Sequence, residues 1–482
     1  MNIYDKYETV IGLEVHAQLS TKSKAYSSDS TEFGALPNTN VSPISLGHPG
    51  TLPKTNKKVI EYAVRLGLAC KSSVSEYNEY ARKNYFYADL PKGYQITQDK
   101  TPICTGGYIT IKQNDGSEKN INLTRIHMEE DAGKSIHDID PFDTLIDLNR
   151  AGVALVEIVS EPEMHSGEEA YQYLTEIRKL VRYLEICDGN MEEGSLRCDA
   201  NVSVRLKGST TFGKRCEVKN MNSIRNVQRA IEFEVKRQIE AIENGEEISQ
   251  DTRSFNAVTG ATFVLRSKEM ANDYRYFPEP DLQPVIINQE YISKVKNALP
   301  PLPNELLKKY IHLGLSTYDA GVITDSKEIA LYFEDIIANT KFIKSAANWL
   351  TVQIKSYLND NALHISDFKI SAKRMAELIN FIETGKVNHT IAIQKIFPKM
   401  MEEISKSPNQ IAEENNWIQE SDSDALSELV KQAIAKYPEK VEEYKNGKTS
   451  LLGLFMGEVM KLSKGKADPK ITTILVKKML EK

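Results

Sequence analysis

The feature that most constrains the fold is a strict alternation of apolar and polar residues that begins in VIGLEVHAQLS, residues 10–20. The odd positions carry apolar side chains, at Ile11, Leu13, Val15, Ala17 and Leu19. The even positions carry Glu14, His16 and Gln18. A repeat of this kind predicts a β-strand that buries one face and keeps the other face polar.

The same alternation recurs in SLRCDANVSVRL (residues 195–206) and KRCEVKNMN (residues 214–222). The predicted polar faces of these two segments carry Arg197, Asp199, Asn201, Arg215, Glu217 and Lys219. The segments IHMEEDAGK (residues 126–134) and DLNRAGVALVEIVSEPE (residues 147–163) add His127, Glu129, Glu130, Asp131, Lys134 and Glu157. Charged and amide side chains therefore gather on the polar side of several predicted strands.

Two interpretations of this polar face stay open on the residues alone. An antiparallel sheet often leaves one face in water, and a solvated face carries charges. Alternatively, carboxylates and an imidazole from neighbouring strands surround a divalent cation, because like charges at close range are unfavourable without one. Oxygen-rich ligation with one imidazole favours Mg²⁺ or Mn²⁺, and nearby Arg and Lys favour nucleotide phosphates as ligands. The sequence has no P-loop and no Rossmann fingerprint, so a nucleotide would be held through its metal and basic side chains.

Basic and aromatic residues alternate in ARKNYFYADLPKGYQITQ, residues 81–98. This set comprises Arg82, Lys83, Tyr85, Phe86, Tyr87, Lys92 and Tyr94. Such a mixture can bind phosphate and stack on a base. It is equally typical of a tyrosine-rich strand pair that packs against a neighbour.

Length and local composition predict a division into about three domains. Proline-rich stretches, FPEPDLQPV and LPPLPNE, indicate a boundary near residue 292, and SPNQ indicates another near residue 408. We therefore predict domains at residues 1–292, 293–408 and 409–482.

The first domain mixes strands with two amphipathic helices. One helix opens with a capping box of Ser166 and Glu169, and the other stops at Gly245. A hairpin, TRSFNAVTGATFVLRSKE, turns near Gly260. The second and third domains are helical.

Charge and cysteine usage limit the function classes. The net charge is −6, so any contact with nucleic acid needs a local basic patch. One such patch begins at Lys445. Residues 445–482 contain nine lysines and three acidic residues. The five cysteines form no C-x-x-C pair, which favours reduced, buried thiols over a zinc knuckle or disulfides. Because the start lacks an apolar signal core and no long apolar run occurs, we expect a cytoplasmic protein without a membrane contact.

Six segments in register resemble the B subunit of the bacterial aspartyl/glutamyl-tRNA amidotransferases. These segments are ETVIGLEVHAQL, RKNYFYADLPKGYQITQ, HMEEDAGKS, DLNRAGVALVEIVSEPE, MEEGSLRCDANVS and DYRYFPEPDLQPV. The resemblance implies an α+β, glutamine-synthetase-like cradle with an antiparallel sheet, followed by an all-α domain and a small helical tail. It also implies a ligase that uses ATP to phosphorylate the side-chain carboxylate of Glu on tRNA(Gln) or Asp on tRNA(Asn). Ammonia then displaces the phosphate and forms the amide.

The resemblance implies roles for particular residues. Glu14, His16, Glu130 and Glu217 would form the catalytic metal shell for Mg²⁺, with Glu129 as a possible further member. The expected contacts to ATP or substrate are Arg82, Lys83, Tyr85, Lys134, Arg197, Asp199 and Asn201; for Arg82, Lys83, Lys134 and Arg197 this rests on charge more than on motif. The sequence contains no Ser-rich amidase signature, so ammonia would come from the family's amidase, its A subunit, within a heterotrimer that includes a small C subunit.

Two further expectations concern the loop at residues 25–47 and the tail. Many relatives carry two cysteine pairs in this loop, where Ser27, Asp29, Ser42 and Ser45 stand here. A structural zinc would lack its thiolates, and we predict none; turns with Pro, Asn and Gly would hold the loop. The lysine-rich tail would contact tRNA, although a lysine-rich terminal helix can also serve solubility alone.

Three alternatives to this function remain. A self-contained ligase for a small free acid would hydrolyse ATP without tRNA. A non-catalytic tRNA-binding scaffold would not need the predicted metal shell. The archaeal type, restricted to Glu-tRNA(Gln), carries a large inserted domain, for which residues 200–300 leave no room.

Overall fold

The computed structural model describes residues 2–267, 274–418, 423–463 and 466–481. The chain forms two compact units, Met1–Leu302 and Pro303–Lys482. The three-domain division with boundaries at 292 and 408 stays a prediction. Parts of three predicted features lie outside the described residues: Lys268 and Glu269 of the hairpin segment, Asp273 of the last family motif, and Lys464 and Lys482 of the tail.

Within its described residues, the first unit contains the strands and four α-helices. The strands are β1 Tyr7–Gln18, β2 Ser73–Val74, β3 Tyr77–Asn78, β4 Ala81–Asn84, β5 Tyr94–Thr97, β6 Cys104–Thr105, β7 Tyr108–Lys112, β8 Glu118–Glu130, β9 Lys134–Ile136, β10 Leu145–Asp147, β11 Ala154–Ser160, β12 Leu196–Leu206, β13 Cys216–Lys219, β14 Asp251–Asn256, β15 Ala261–Ser267, β16 Phe277–Pro278 and β17 Val285–Ile286. The helices are α1 Lys57–Ala69, α2 Gly167–Tyr183, α3 Ile224–Glu243 and α4 Gln289–Asn297.

One large sheet organises this unit, in the order β15-β14-β13-β12-β1-β11-β8-β6-β2, with β7 paired to β8. All pairs in it are antiparallel except β13 with β14, which run parallel. The predicted α+β class with an antiparallel sheet is therefore confirmed, with that one parallel pair as an exception. Three small sheets, β9–β10, β16-β4-β5 and β17–β3, stand beside it.

The apolar parity of β1 is buried as predicted. Ile11, Leu13, Val15, Ala17 and Leu19 are each at most 2% exposed. Helix α2 contacts β1, and α3 contacts β12, so these helices cover the apolar face and the opposite face carries the polar residues. All five cysteines are buried and free, which fits the expectation that they pack in the core; the reduced state stays a prediction.

Local signals set the ends of several elements. Helix α2 begins after Ser166, whose hydroxyl accepts from the backbone N–H of Glu169. The Glu169 carboxylate accepts instead from the N–H of His165 (2.8 Å), so only half of the predicted capping box forms. Gly245 follows α3 at φ +79°, and Gly260 turns the β14–β15 hairpin at φ +71°. Both values suit glycine, which lacks a Cβ.

The second unit is helical throughout the residues that the structure describes. Its α-helices are α5 Pro303–His312, α6 Thr317–Ile323, α7 Lys327–Ile337, α8 Ile343–Asn348, α9 Lys355–Asp360, α10 Ala372–Glu383, α11 His389–Ile391, α12 Phe397–Glu402, α13 Pro408–Glu414, α14 Ser423–Ala435, α15 Pro438–Lys445, α16 Leu452–Leu462 and α17 Pro469–Leu480. The last four surround an apolar cluster of their own: Leu426, Val430, Ala433, Phe455, Val459, Ala467, Val476 and Leu480. No described helix is both long and apolar enough to cross a bilayer.

Candidate functional site

Three carboxylates from adjacent strands meet on the polar face of the large sheet. Glu14 of β1 lies opposite Asp199 of β12, and Asn201 of β12 lies opposite Glu217 of β13. Ligand oxygens of Glu14, Asp199 and Glu217 all lie within 4.8 Å of one another. We call these three residues the central acidic cluster. Their separation suits a shared cation, since bare carboxylates at this range repel each other.

The charges around this cluster are partly compensated. The pKa of Glu14 is raised by burial and by the nearby charges of Glu157 and Asp199. The amide of Asn201 donates to Glu14 Oε1 (2.9 Å). Lys219 contacts Asp199 and also Glu217 Oε1 (3.0 Å). Burial would lower the pKa of Lys219, but these two carboxylates raise it above its usual range, so the side chain carries a positive charge.

A second group, His16, Glu129 and Glu157, lies on the same face, and we call it the histidine cluster. His16 of β1 is opposite Glu157 of β11, which is in turn opposite His127 of β8. His16 Nε2 lies 3.4 Å from Glu157 Oε2 and 3.8 Å from Glu129 Oε2. The three ligand atoms lie within 4.8 Å of one another. Two carboxylates and one imidazole form a donor set that suits Mg²⁺ or Mn²⁺.

His127 holds the two carboxylates of the histidine cluster in place. Its Nε2 lies 3.0 Å from Glu129 Oε1 and 3.1 Å from Glu157 Oε2. Burial would lower the pKa of His127, but the hydrogen bonds to Glu129 and Glu157 raise it to about 9. Ligand carboxylates fixed in this way by a neighbouring side chain are usual at metal sites.

Further polar side chains reach Glu129 from strand β5. The hydroxyl of Thr97 donates to Glu129 Oε1 (3.1 Å), and the amide of Gln95 donates to Glu129 Oε2 (3.3 Å). Lys83 of β4 lies opposite Gln95. Burial would lower its pKa, but the charges of Glu129 and Glu157 raise it. Lys83 therefore stands as a cation beside the histidine cluster; its contact with phosphate stays a prediction.

Glu130 lies on the opposite face of β8, and the structure brings it to neither cluster; its role in the metal shell stays a prediction. Successive side chains of a strand point to opposite faces, so Glu130 cannot accompany Glu129 and His127. Its carboxylate contacts Lys92 and accepts from the N–H of Ile96 (2.8 Å). It lines a cavity of about 220 Å³ together with Lys92, Tyr94 and Ser45. Glu157, which the predicted metal shell did not include, joins His16 and Glu129. Its place there depends on the strand order β1-β11-β8, which local sequence patterns do not predict.

The other predicted contacts are divided between the site and its surroundings. Arg197 donates to Asp131 Oδ2 (2.5 Å), which also accepts from Gln18 (2.7 Å). Arg82 forms a bidentate pair with Glu279 (2.6 and 2.8 Å), so its charge is committed outside both clusters. Lys134 lies opposite Asp147 in the small β9–β10 sheet and is not brought to the clusters.

The space beside the central acidic cluster is large enough for a small ligand. A cavity of about 340 Å³ borders Glu14 and Asn201, and Phe212, Arg215 and Ser203 contribute to its wall. An arginine, an aromatic ring and two polar residues of the site therefore face one volume. Sequence reasoning missed Phe212, because no pattern distinguishes it from an ordinary loop residue.

The carboxylate of Asp29 organises the loop at residues 25–47, where we predicted no structural zinc. Asp29 Oδ2 accepts from the backbone N–H of Ser42 (3.0 Å), from its hydroxyl (2.9 Å) and from the hydroxyl of Ser45. The Ser27 and Ser45 hydroxyls lie 3.2 Å apart. The four residues that stand at the positions of the cysteine pairs therefore form a hydrogen-bonded group. This is a stronger link than the predicted turns alone.

Comparison with known proteins gives matches along nearly the whole chain. Residues 9–293 match the family model described as the GatB/GatE catalytic domain, and residues 331–480 match the GatB domain. The chain is 47% identical to the aspartyl/glutamyl-tRNA(Asn/Gln) amidotransferase B subunit of Thermodesulfovibrio yellowstonii, over 99% of this chain and 100% of the relative. It is 48% identical to the protein of that name from Caldicellulosiruptor bescii, again over 99% and 100%. It is 50% identical to the one from Wolbachia pipientis wMel, over 99% of each.

Proposed function

The chain belongs to the GatB family of amidotransferase B subunits, and from that premise we propose that it amidates amino acids attached to tRNA. The substrates are Glu on misacylated Glu-tRNA(Gln), Asp on misacylated Asp-tRNA(Asn), or both. The reaction uses ATP, and the products, Gln-tRNA(Gln) and Asn-tRNA(Asn), serve translation. The enzyme is a ligase that forms carbon–nitrogen bonds.

The reaction has two steps because a carboxylate is a poor acceptor for ammonia. In the first step a side-chain carboxylate oxygen attacks the γ-phosphorus of ATP, and ADP leaves with the electron pair of the broken P–O bond. In the second step ammonia attacks the carbonyl carbon of the acyl phosphate. Inorganic phosphate leaves with the electron pair of the C–O bond, and the nitrogen loses a proton to give the amide. Each step then has a good leaving group.

The donor sets of the two clusters fit divalent cations. The central acidic cluster offers three carboxylates and the histidine cluster offers two carboxylates and an imidazole. Glu14, Asp199 and Glu217 would hold one ion, and His16, Glu129 and Glu157 another. Mg²⁺ bound there supplies positive charge that offsets the charge developing during phosphoryl transfer. The raised pKa of Glu14, caused by burial and neighbouring carboxylates, is the situation that a bound cation relieves.

The chain's own cations complete the site. Lys83 beside the histidine cluster and Lys219 beside the central acidic cluster would bind phosphate or carboxylate oxygens of the substrates. His127 keeps Glu129 and Glu157 in position. Burial of Glu129 and Glu157 and partial burial of the other cluster residues strengthen these electrostatic contacts, because water competes less for each charge.

Ammonia and tRNA require further contacts. The relatives are named as B subunits, and the sequence has no amidase signature. A partner amidase, the A subunit, would release ammonia from glutamine, and a small C subunit would complete a heterotrimer. The lysine-rich tail would bind the tRNA phosphates.

The observation that carries this proposal is the position of both clusters on one sheet face, linked through Glu14 and His16 of β1. The test is amide formation by the chain purified with its partner proteins, using ATP, glutamine and each misacylated tRNA. A substrate carboxylate labelled with heavy oxygen should pass one labelled atom to inorganic phosphate. Glu14→Gln and His16→Asn should lower amide formation by at least about a hundredfold.

The matched control is Glu8→Gln, on the same strand but paired with Arg205, which should retain activity. Unlabelled phosphate would contradict the acyl phosphate. ATP hydrolysis that ignores tRNA would favour a ligase for a small free acid. Amide formation that survives Glu14→Gln would favour a scaffold role.

A further inference from the structure

We propose that a row of four tyrosines beside the histidine cluster stacks the terminal base at the 3′ end of the substrate tRNA. The row runs Tyr87, Tyr85, Tyr274, Tyr276. This inference rests on the proposed function, because it assigns a place to one part of the aminoacylated substrate.

The row is continuous and open at both ends. Ring centroids lie 5.6 Å apart for Tyr87 and Tyr85, 6.1 Å for Tyr85 and Tyr274, and 6.1 Å for Tyr274 and Tyr276. Tyr87 is 55% exposed and Tyr276 is 42% exposed. The rings of Tyr87 and Tyr276 therefore offer partly exposed faces at the two ends of the row, on which a base can stack.

Specific hydrogen bonds hold the two halves of the row together. Asn84 of β4 precedes Tyr85 and donates its backbone N–H to the carbonyl of Tyr274 (2.9 Å). Its side-chain amide also donates to the carbonyl of Arg275 (2.8 Å). Arg275 has φ +44°, a conformation that costs a residue with a Cβ some energy. The strained backbone at Arg275 therefore lies between Tyr274 and Tyr276 and sets their relative positions.

Lys83 connects the row to the histidine cluster. Its Nζ lies 4.9 Å from the ring centroid of Tyr274. Lys83 is opposite Gln95, and Gln95 donates to Glu129 Oε2 (3.3 Å). A ligand stacked on the row would therefore have its phosphate near a lysine and its attached group near the cluster.

The chemistry of this arrangement matches an unpaired nucleotide. Proteins bind single-stranded ends by stacking bases on aromatic rings while basic side chains contact the backbone. In an aminoacylated tRNA the amino acid is esterified to the terminal nucleotide, so that base must lie near the reacting carboxylate. A sequence-tolerant platform suffices, since tRNAs share the same terminal sequence.

The test uses the full complex and deacylated tRNA(Gln) or tRNA(Asn) that carries 2-aminopurine as its terminal base. Stacking quenches 2-aminopurine, so fluorescence should fall when the wild-type complex binds. Tyr274→Leu and Tyr87→Leu should restore the fluorescence and raise the Kd about 5- to 100-fold. Tyr274→Phe and Tyr87→Phe keep an aromatic ring and should quench like the wild type. Tyr108→Leu, at a tyrosine outside the row that is 38% exposed, is the surface control.

Each contrary outcome is separable. If the wild-type complex amidates tRNA normally but does not quench the fluorescence, the tyrosine row does not stack the terminal base. The proposed function would be unaffected by that result. Quenching without amidation of either tRNA overturns the proposed function. If the Leu variants do not assemble into the complex, as seen by size-exclusion chromatography, a partner protein covers the tyrosines. The proposal that they stack the terminal base would then be wrong. If the Leu variants fail to fold, the fluorescence changes of the wild-type and Phe complexes test the proposal: quenching supports it, and no quenching contradicts it.

Discussion

Lys219 competes for the same carboxylates that a divalent cation would need. It contacts Asp199 and Glu217 in the central acidic cluster. Replacing it with Met removes one positive charge and leaves the carboxylate repulsion uncompensated. We expect Lys219→Met to bind Mg²⁺ about tenfold more tightly, a change of about 1.4 kcal/mol.

Isothermal titration with MgCl₂ at constant ionic strength measures this effect. Lys214→Met is the matched control, because Lys214 pairs with the exposed Glu247 and not with the cluster carboxylates. Unchanged or weaker Mg²⁺ binding by Lys219→Met would show that the lysine does not compete with the ion.

Glu129 and Glu130 are neighbours in sequence with different tasks, and the same substitution should separate them. We expect Glu129→Gln to weaken Mg²⁺ binding at least about tenfold, since it removes a ligand charge. Glu130→Gln should leave Mg²⁺ affinity nearly unchanged but reduce stability by about 2–3 kcal/mol, because Lys92 loses its charged partner in a buried position. Metal titration and thermal unfolding of both variants test the pair. An equal loss of Mg²⁺ affinity would return Glu130 to the metal site.

At the scale of elements, Lys24 links the loop at residues 25–47 to the strand region around Leu148. Its side chain is fully buried, and its Nζ donates to the carbonyls of Asn40 (2.7 Å) and Leu148 (3.4 Å). Burial lowers the pKa of Lys24 to about 8, although Asp29 and Glu130 partly offset this effect. In the unfolded chain the amine has its ordinary value near 10.5.

This difference predicts a pH dependence with a definite sign. Between pH 8 and 10.5 the unfolded chain binds the Lys24 proton and the folded chain does not, so stability rises with pH in that window. Relative to Lys24→Met, the wild type should gain about 2 kcal/mol between pH 7.5 and 9.5. Unfolding of both proteins in denaturant at these two pH values gives the comparison. A difference that stays constant with pH would mean that the amine keeps its ordinary pKa.

Elements differ in how far sequence patterns predict them. The buried parity of β1 and the ends of α3 and the β14–β15 hairpin follow from local periodicity and glycine positions. Strand order is a long-range property. Glu157 joins His16 only because β11 lies between β1 and β8.

The same limit applies to single side chains. Arg82 has the charge of a phosphate contact, yet its guanidinium donates two hydrogen bonds to Glu279, 197 residues away in sequence, and a third to Asp281. Tyr274 joins Tyr85 through a similar long-range contact, at a sequence separation of 190 residues between Asn84 and Tyr274. Composition indicated the chemistry of this site, but only the fold selected which of the basic and aromatic residues take part.

At the scale of the whole molecule, the tail helices have an apolar cluster of their own and an excess of lysine. If they contact tRNA, neutralising lysines on α17 should weaken binding and reduce its salt dependence. We expect the triple variant Lys470→Gln, Lys477→Gln, Lys478→Gln to lower the slope of log Kd against log salt by about 1–3.

The matched triple control replaces Lys399, Lys431 and Lys440, which contact Glu402, Glu428 and Glu443 and lie outside the lysine-rich tail. It removes the same charge from the same unit. Filter binding of tRNA to the full complex across salt concentrations gives both slopes. Equal slopes for the two variants would show that net charge, and not the position of α17, governs the attraction.

Glu129 and Glu130 lie on opposite faces of β8, and this arrangement has a consequence for insertions and deletions. Deleting one residue inside β8 would rotate every later side chain of the strand to the other side, which would send Glu130 towards His16 and carry Glu129 towards Lys92. Deleting a residue at the tight turn around Gly116 would leave that alternation intact. Protein engineers can therefore vary the β7–β8 turn in length, whereas an insertion or deletion inside the strand would exchange the two carboxylates between the faces.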